Sequence, residues 1–270
     1  MPVKSRRKAL MAAGALVATA AIVALTAASA AAAPDTAAQP RIVGGGQASL
    51  SDYPYAVYLT DQNGYQFCGG VIVSPTAVAT AAHCALAVKS GNLRVVAGRQ
   101  DETSTDGVVE SVSKVWVHPD FSDPLKGDDI AVLTVLGSLP YPAVQLADST
   151  DRALYAEGSQ ATVVGWGRTS DGGARSNVLR SAPVPVIGDQ SCTASYSNYD
   201  PGTMLCAGYT QGGIDACQGD SGGPLVEGNT LVGIVSWGEG CAVAGKPGVY
   251  TRVSAFASQI ASQSRSGLFG

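Results

Sequence analysis

Asp215-Ala216-Cys217-Gln218-Gly219-Asp220-Ser221-Gly222-Gly223-Pro224 sets a serine among glycines, with one aspartate beside it and another six residues earlier. A serine hydroxyl is a poor nucleophile near neutral pH until a base takes its proton, and imidazole is the usual base. The chain has only two histidines, so the search is short. His118 lies in Val117-His118-Pro119-Asp120, where the proline marks a turn, and it reads as a surface histidine. His83 lies in Thr80-Ala81-Ala82-His83-Cys84, where small neighbours leave room for the ring and the cysteine can staple the segment. Taken alone, His83 is as readily structural as catalytic.

Chain order separates the scaffolds that use such a serine. Gly219-Asp220-Ser221-Gly222-Gly223 fits G-x-S-x-G, the nucleophile elbow of α/β-hydrolases, whose triad runs serine, acid, histidine. Both histidines here precede Ser221, so that scaffold has no base downstream. The order acid, histidine, serine stays open, because Asp52 and Asp61 precede His83. The subtilisin scaffold that uses it needs an α/β sheet, which this sequence does not suggest.

The positioning elements read as short strands. Gly 33 and Pro 14 in 270 residues, with many short apolar runs between them, argue for a turn-rich all-β protein. Tyr65 to Val73, Leu93 to Ala97, Val108 to Val117 and Ile130 to Val135 are strand-like in the first half. Ala161 to Val164, Val178 to Val186, Leu231 to Trp237 and Val249 to Val253 are strand-like in the second. Val253, Phe256 and Ile260 have helical spacing, which predicts a helix near Ser254 to Ser262, and residues 263 to 270 read as a tail. Two β halves of similar length, divided near 145 to 150, are consistent with two barrels.

The first 30 residues read as an address. Lys4, Arg6, Arg7 and Lys8 precede an uncharged, alanine-rich run from Ala9 to Ala27, and Ala28-Ser29-Ala30 offers small residues for signal peptidase. A membrane anchor is the competing reading, but alanine is weakly apolar and the small-residue end fits cleavage. No later stretch is long and apolar enough to span a bilayer. Of the 17 basic and 21 acidic residues, five and one fall within 1 to 41, which leaves 12 and 20 in 42 to 270, a net charge of about −8. Such an acidic body argues against nucleic acid as a partner. Six cysteines in an exported chain suggest disulfides; fifteen pairings are open, and no C-x-x-C pair suggests zinc.

Taken together, the motifs resemble those of the chymotrypsin-type serine proteases, and among them the secreted bacterial trypsins. Ile42-Val43-Gly44-Gly45, Thr80-Ala81-Ala82-His83-Cys84, Asp129-Ile130-Ala131, Gly165-Trp166-Gly167, Gly219-Asp220-Ser221-Gly222-Gly223-Pro224, Ser236-Trp237-Gly238 and Lys246-Pro247-Gly248-Val249-Tyr250 occur in that family's order. The resemblance covers nearly all of 42 to about 262. It implies an all-β fold of two packed six-stranded antiparallel β-barrels with a C-terminal helix. Residues 1–30 would be a signal peptide, 31–41 a propeptide, 42–148 the first barrel, and 149–270 the second barrel with the helix.

The same resemblance implies roles. His83, Asp129 and Ser221 would form the triad, with Asp128 left as a solvated turn carboxylate. The backbone N–H groups of Gly219 and Ser221 would form the oxyanion hole. Asp215 would sit at the base of the primary substrate pocket and select Arg or Lys. Ala216, Gln218, Ser236, Trp237, Gly238 and Gly248 would line that pocket and the substrate strand beside it. Ala216 stands where many trypsins carry a serine that helps hold lysine, so arginine is expected to be preferred. Cleavage at Arg41-Ile42 would free an ammonium at Ile42 to pair with Asp220. The implied disulfides are Cys68–Cys84, Cys192–Cys206 and Cys217–Cys241.

The expected product is therefore a secreted endopeptidase made as a zymogen, monomeric, without a required cofactor. Its expected partners are polypeptide substrates and protein protease inhibitors, with no membrane association after signal removal. Gln100 to Asp106 is short and acidic but lacks convincing calcium-ligand spacing, so calcium stays open. The reading from another class is a silent binding protein on a protease fold. Such proteins usually lose a triad residue, and all three are present here.

Overall fold

The computed structural model describes residues 42–265. The signal and propeptide readings, including Arg41, lie outside the described residues, as do 266–270. A two-residue strand β1 (Gly46–Gln47) is followed by the first barrel: β2 (Ala56–Thr60), β3 (Gln66–Ser74), β4 (Ala77–Thr80), β5 (Arg94–Ala97), β6 (Val108–Val117) and β7 (Ala131–Val135). These six close in the order β2-β3-β4-β7-β6-β5, with β5 pairing back onto β2, and every pairing is antiparallel. Closure leaves no free edge, so even the Ala-rich β4 has both neighbours it needs.

After the short β8 (Gln145–Leu146), a second ring forms from β9 (Gln160–Gly165), β10 (Arg180–Ile187), β11 (Met204–Ala207), β12 (Pro224–Glu227), β13 (Thr230–Trp237) and β14 (Gly248–Arg252). Its order is β9-β10-β11-β14-β13-β12 and back to β9, again antiparallel. β1 pairs with β10, and β8 runs parallel to β13. The fold is therefore all-β, with two closed six-stranded barrels, as the sequence predicts.

Helices are few. α1 (Ala82–Ala85) follows β4, α2 (Asp189–Ser195) follows β10, and α3 (Val253–Arg265) follows β14. On α3 the buried residues are Val253, Phe256, Ile260 and Ser264, one face of a helix. The helix runs three residues past the predicted end, because Ser264 is buried and its hydroxyl bonds the Ile260 carbonyl at 2.7 Å. Residues 263–265 are thus helix, not tail. The apolar face of α3 joins the core of the first barrel, beside Val71, Ile72 and Val132. Full burial of each such side chain contributes about 1.5–3 kcal/mol. In the opposite sense, Ile42 packs into the core of the second barrel. Each barrel thus holds a segment whose chain neighbours belong to the other.

The disulfides join Cys68 to Cys84, Cys192 to Cys206 and Cys217 to Cys241. The first ties β3 to α1, and the second ties α2 to β11. Loops of this size are worth roughly 3 kcal/mol each through the unfolded chain.

Candidate active site

His83 is the second residue of α1, immediately after β4 has crossed the barrel, and it is fixed by its neighbour's disulfide to β3. Asp129 lies two residues before β7. The backbone N–H of His83 donates to Asp129 Oδ1 at 3.0 Å, and His83 Nδ1 lies 2.8 Å from Oδ2. The second barrel grips the same aspartate: the Ser236 hydroxyl of β13 donates to Oδ2 at 2.6 Å, and the Thr251 hydroxyl of β14 donates to its carbonyl at 2.7 Å. Asp129 is 1% exposed, so these donors replace water around its charge. In the tautomer that gives Nδ1–H to Asp129, Nε2 is the acceptor.

Ser221 sits in the turn between Cys217 and β12. Its carbonyl accepts from Gly69 N of the first barrel at 2.7 Å. Gly222 has φ +81°, and a Cβ there would lie 2.1 Å from Thr80 Oγ1 and 2.6 Å from the Gly69 carbonyl. Only glycine lets the serine turn press this closely against β3 and β4. Cys84 Sγ lies 3.5 Å from His83 Nε2 and 3.4 Å from the Ser221 carbonyl, so imidazole and serine backbone share one neighbour. The Gln218 carbonyl accepts from Arg168 N at 2.8 Å and the Asp220 carbonyl from Gly223 N at 2.8 Å. In a trans peptide the N–H points opposite the C=O. The N–H groups of Gly219 and Ser221 therefore point away from Arg168 and Gly223.

Asp215 is 3% exposed. Its Oδ1 accepts from Ala216 N at 2.8 Å and Oδ2 from Ala242 N at 3.2 Å. Burial nevertheless pushes its carboxyl up to about 7, with the charge of Asp220 adding to the rise. Asp215 and Ser221 line one cavity of about 210 Å³, with Ala216, Gln218, Ser236, Trp237, Gly238 and Gly248 among its walls. A Cβ on Gly248 would stand 2.6 Å from Asp215 Oδ1, so that glycine keeps the carboxylate accessible. Trp237 is braced by an edge contact with Tyr196, ring centroids 4.8 Å apart. At the rim, Gln218 Nε2 donates to Asp171 Oδ1 at 2.9 Å.

Asp220 is wholly buried. Its carboxylate accepts from Gly167 N at 2.7 Å and Cys217 N at 3.0 Å. A Cβ on Gly165 or Gly167 would come within 2.1 or 2.4 Å of this carboxylate, which accounts for the glycines flanking Trp166. Burial raises its carboxyl to about 6. Ile42 is also fully buried, at φ +44°, a backbone region that β-branched residues rarely adopt.

His118 is not a surface residue: it is 8% exposed, wedged edge-on against Trp116 and Phe256. The proline does mark a turn, but α3 covers it, and no local pattern announces a helix arriving from the far end of the chain. Asp128, partly exposed, lies 3.8 Å from His118 Nδ1. Within 100–106, the Asp101 carboxylate accepts both the N–H and the hydroxyl of Thr103. Thr251 and Gln66 join the site or its supports without any sequence signal. Among the described residues no helix is long and apolar enough to cross a membrane.

Two barrels gripping one buried aspartate, with an imidazole and a serine turn at their seam, define a two-barrel serine hydrolase. A family model described as Trypsin matches residues 42–260. A trypsin of Saccharopolyspora erythraea is 47% identical over 215 residues, covering 80% of this chain and 94% of that protein. Trypsin eta of Drosophila erecta is 42% identical over 232 residues (83% and 90%), and trypsin 5G1 of Aedes aegypti 42% over 220 (79% and 81%). The chain belongs to the trypsin family and is a serine endopeptidase.

Proposed function

We propose that the chain is exported as a zymogen, is cut after Arg41, and then hydrolyses peptide bonds after arginine and, less efficiently, lysine. The observation that carries this is the shared cavity: a buried carboxylate, Asp215, and the candidate nucleophile, Ser221, line the same space. A long cationic side chain reaching Asp215 brings its own carbonyl to the serine at the rim. A neutral side chain leaves that carboxylate without a partner. Arginine offers two parallel N–H donors to it; lysine offers a point charge, and Ala216 adds no hydroxyl to help hold it.

In this reading Ser221 Oγ attacks the scissile carbonyl and His83 Nε2 takes its proton. Asp129 stabilises the imidazolium and holds the ring orientation. The N–H groups of Gly219 and Ser221 receive the oxyanion; in this class of enzyme, loss of one such donor costs about 3–4 kcal/mol of barrier. Collapse expels the leaving amine, which takes the proton from His83, and water then releases the acyl group by the same steps. Ser236 to Gly238 would pair with the substrate as an added strand.

The zymogen reading rests on Asp220, buried with a raised carboxyl and, among the described residues, hydrogen-bonded by backbone donors alone. In this reading, cutting the Arg41–Ile42 bond turns an amide into an ammonium that would pair with Asp220. Digestion of a peptide library before and after that cut tests both parts. Cleavage after Arg and Lys, with a higher kcat/KM for Arg and only after processing, is the expected result. Full activity of an uncut Arg41→Gln protein refutes the activation step, and cuts at neutral residues refute the pocket assignment.

A further inference from the structure

The oxyanion turn is held by more than its own backbone. Gln66, the first residue of β3, is 3% exposed, and its Nε2 donates to the Gly219 carbonyl at 3.1 Å. The Gln66 carbonyl accepts from Arg175 Nη1, and Arg175 Nη2 donates to Glu102 Oε1 at 2.8 Å. Both members of that ion pair are about four-fifths buried, with side-chain exposures of 20% and 18%. The Arg175 guanidinium also lies over the Tyr65 ring, 5.8 Å from its centroid. Two further atoms, Gln66 Oε1 and Arg175 Nε, are buried without a hydrogen-bond partner among the described residues. Each lies 3.7 Å from the point a Cβ would occupy on Gly219. Two residues from distant segments, Gln66 and Arg175, therefore converge on one glycine.

We propose that Gln66, Arg175 and Glu102 form a strut across the barrels that positions the Gly219 peptide, and with it the N–H donors for the developing oxyanion. The proposal rests on the oxyanion assignment above. Gly219, at φ +100°, has no side chain to set its own orientation. Arg168 N fixes the peptide before it, and Gln66 fixes the peptide after it. Arg175 in turn holds the Gln66 backbone, and Glu102 holds Arg175. These are positioning residues; among their described contacts none involves Ser221 or His83. Because the oxyanion exists only in the transition state, slackening the strut lowers kcat more than it raises KM.

The test uses the cleaved enzyme and its Gln66→Met, Arg175→Met and Arg175→Lys variants, normalised by active-site titration. Each is assayed for kcat and KM on an arginine amide. Each is also assayed for inhibition by an arginine aldehyde, which needs the oxyanion donors, and by an aromatic amidine, which needs only the Asp215 pocket. Removing a whole donor costs about 10²–10³-fold, so misaligning one is expected to cost about 10- to 100-fold. Gln66→Met and Arg175→Met should lose that much kcat and aldehyde affinity, with KM and amidine affinity changed less than about threefold. Arg175→Lys, which keeps one of the two contacts, should fall between. Unchanged kcat in both Met variants, or equal weakening of aldehyde and amidine, overturns the strut. If Gln66→Met does not fold, Arg175→Met decides alone. A wild-type enzyme that binds neither inhibitor sinks the underlying site reading, and the strut with it.

Discussion

At the residue scale, Asp215 is where environment and chemistry pull against each other. Its carboxyl is raised to about 7 by burial, yet only the carboxylate can bind a cation. The free pocket is thus largely protonated at pH 5 and ionised at pH 8. Affinity for an aromatic amidine should therefore rise with pH, gaining close to tenfold per unit below 7 and levelling above it, with a proton released on binding. Calorimetry in buffers of different ionisation enthalpy measures both. A flat profile from pH 5 to 8 contradicts a raised Asp215 carboxyl, and undiminished affinity in Asp215→Asn contradicts the pocket assignment. Two histidines and one glycine-framed serine narrowed the candidates for base and nucleophile, but the roles of His83, Asp129 and Asp215 were legible only through the resemblance of their motifs to a known family. Gln66 and Arg175 were not legible, since an ordinary glutamine and arginine acquire their roles only when the barrels meet around Gly219. His118 misled for the same reason, its burial being decided by α3.

At the element scale, the strands that announced themselves are those with long β-branched runs. β3, β5, β6, β7, β9, β10, β13 and β14 all fall within a few residues of the apolar runs read from sequence. β2, β4, β11 and β12 carried no such signal. β2, β4 and β11 are only four or five residues long, and β12 opens on a proline. They exist because a closed ring supplies partners on both sides. The turns between elements are equally specific. Gly222→Ala drives a Cβ into Thr80 and the Gly69 carbonyl at positive φ, and should cost on the order of 3 kcal/mol. Gly172→Ala has a similar φ, +65°, but open space around it, and should cost about 1 kcal/mol. Urea denaturation of inactive Ser221→Ala backgrounds compares them; equal costs would mean that contact between the barrels at Gly222 is not tight.

At the scale of the whole molecule, the site exists only because the barrels are locked together. Ile42 anchors in the second barrel, α3 anchors in the first, and Asp129 takes donors from both. Composition pointed to two β halves. It did not show that each would hold a segment of the other, because that exchange depends on which exposed apolar faces remain once the rings close. Catalysis makes one demand on this arrangement: the Ser221 hydroxyl must be activated by His83 across the seam. Organophosphate labelling followed by peptide mass mapping tests it directly, on the processed enzyme and on its His83→Ala variant. A single adduct on Ser221, formed at least about 10³-fold more slowly in the variant, is the predicted result. An adduct on another residue, or peptide cleavage that persists after Ser221 is fully blocked, contradicts it.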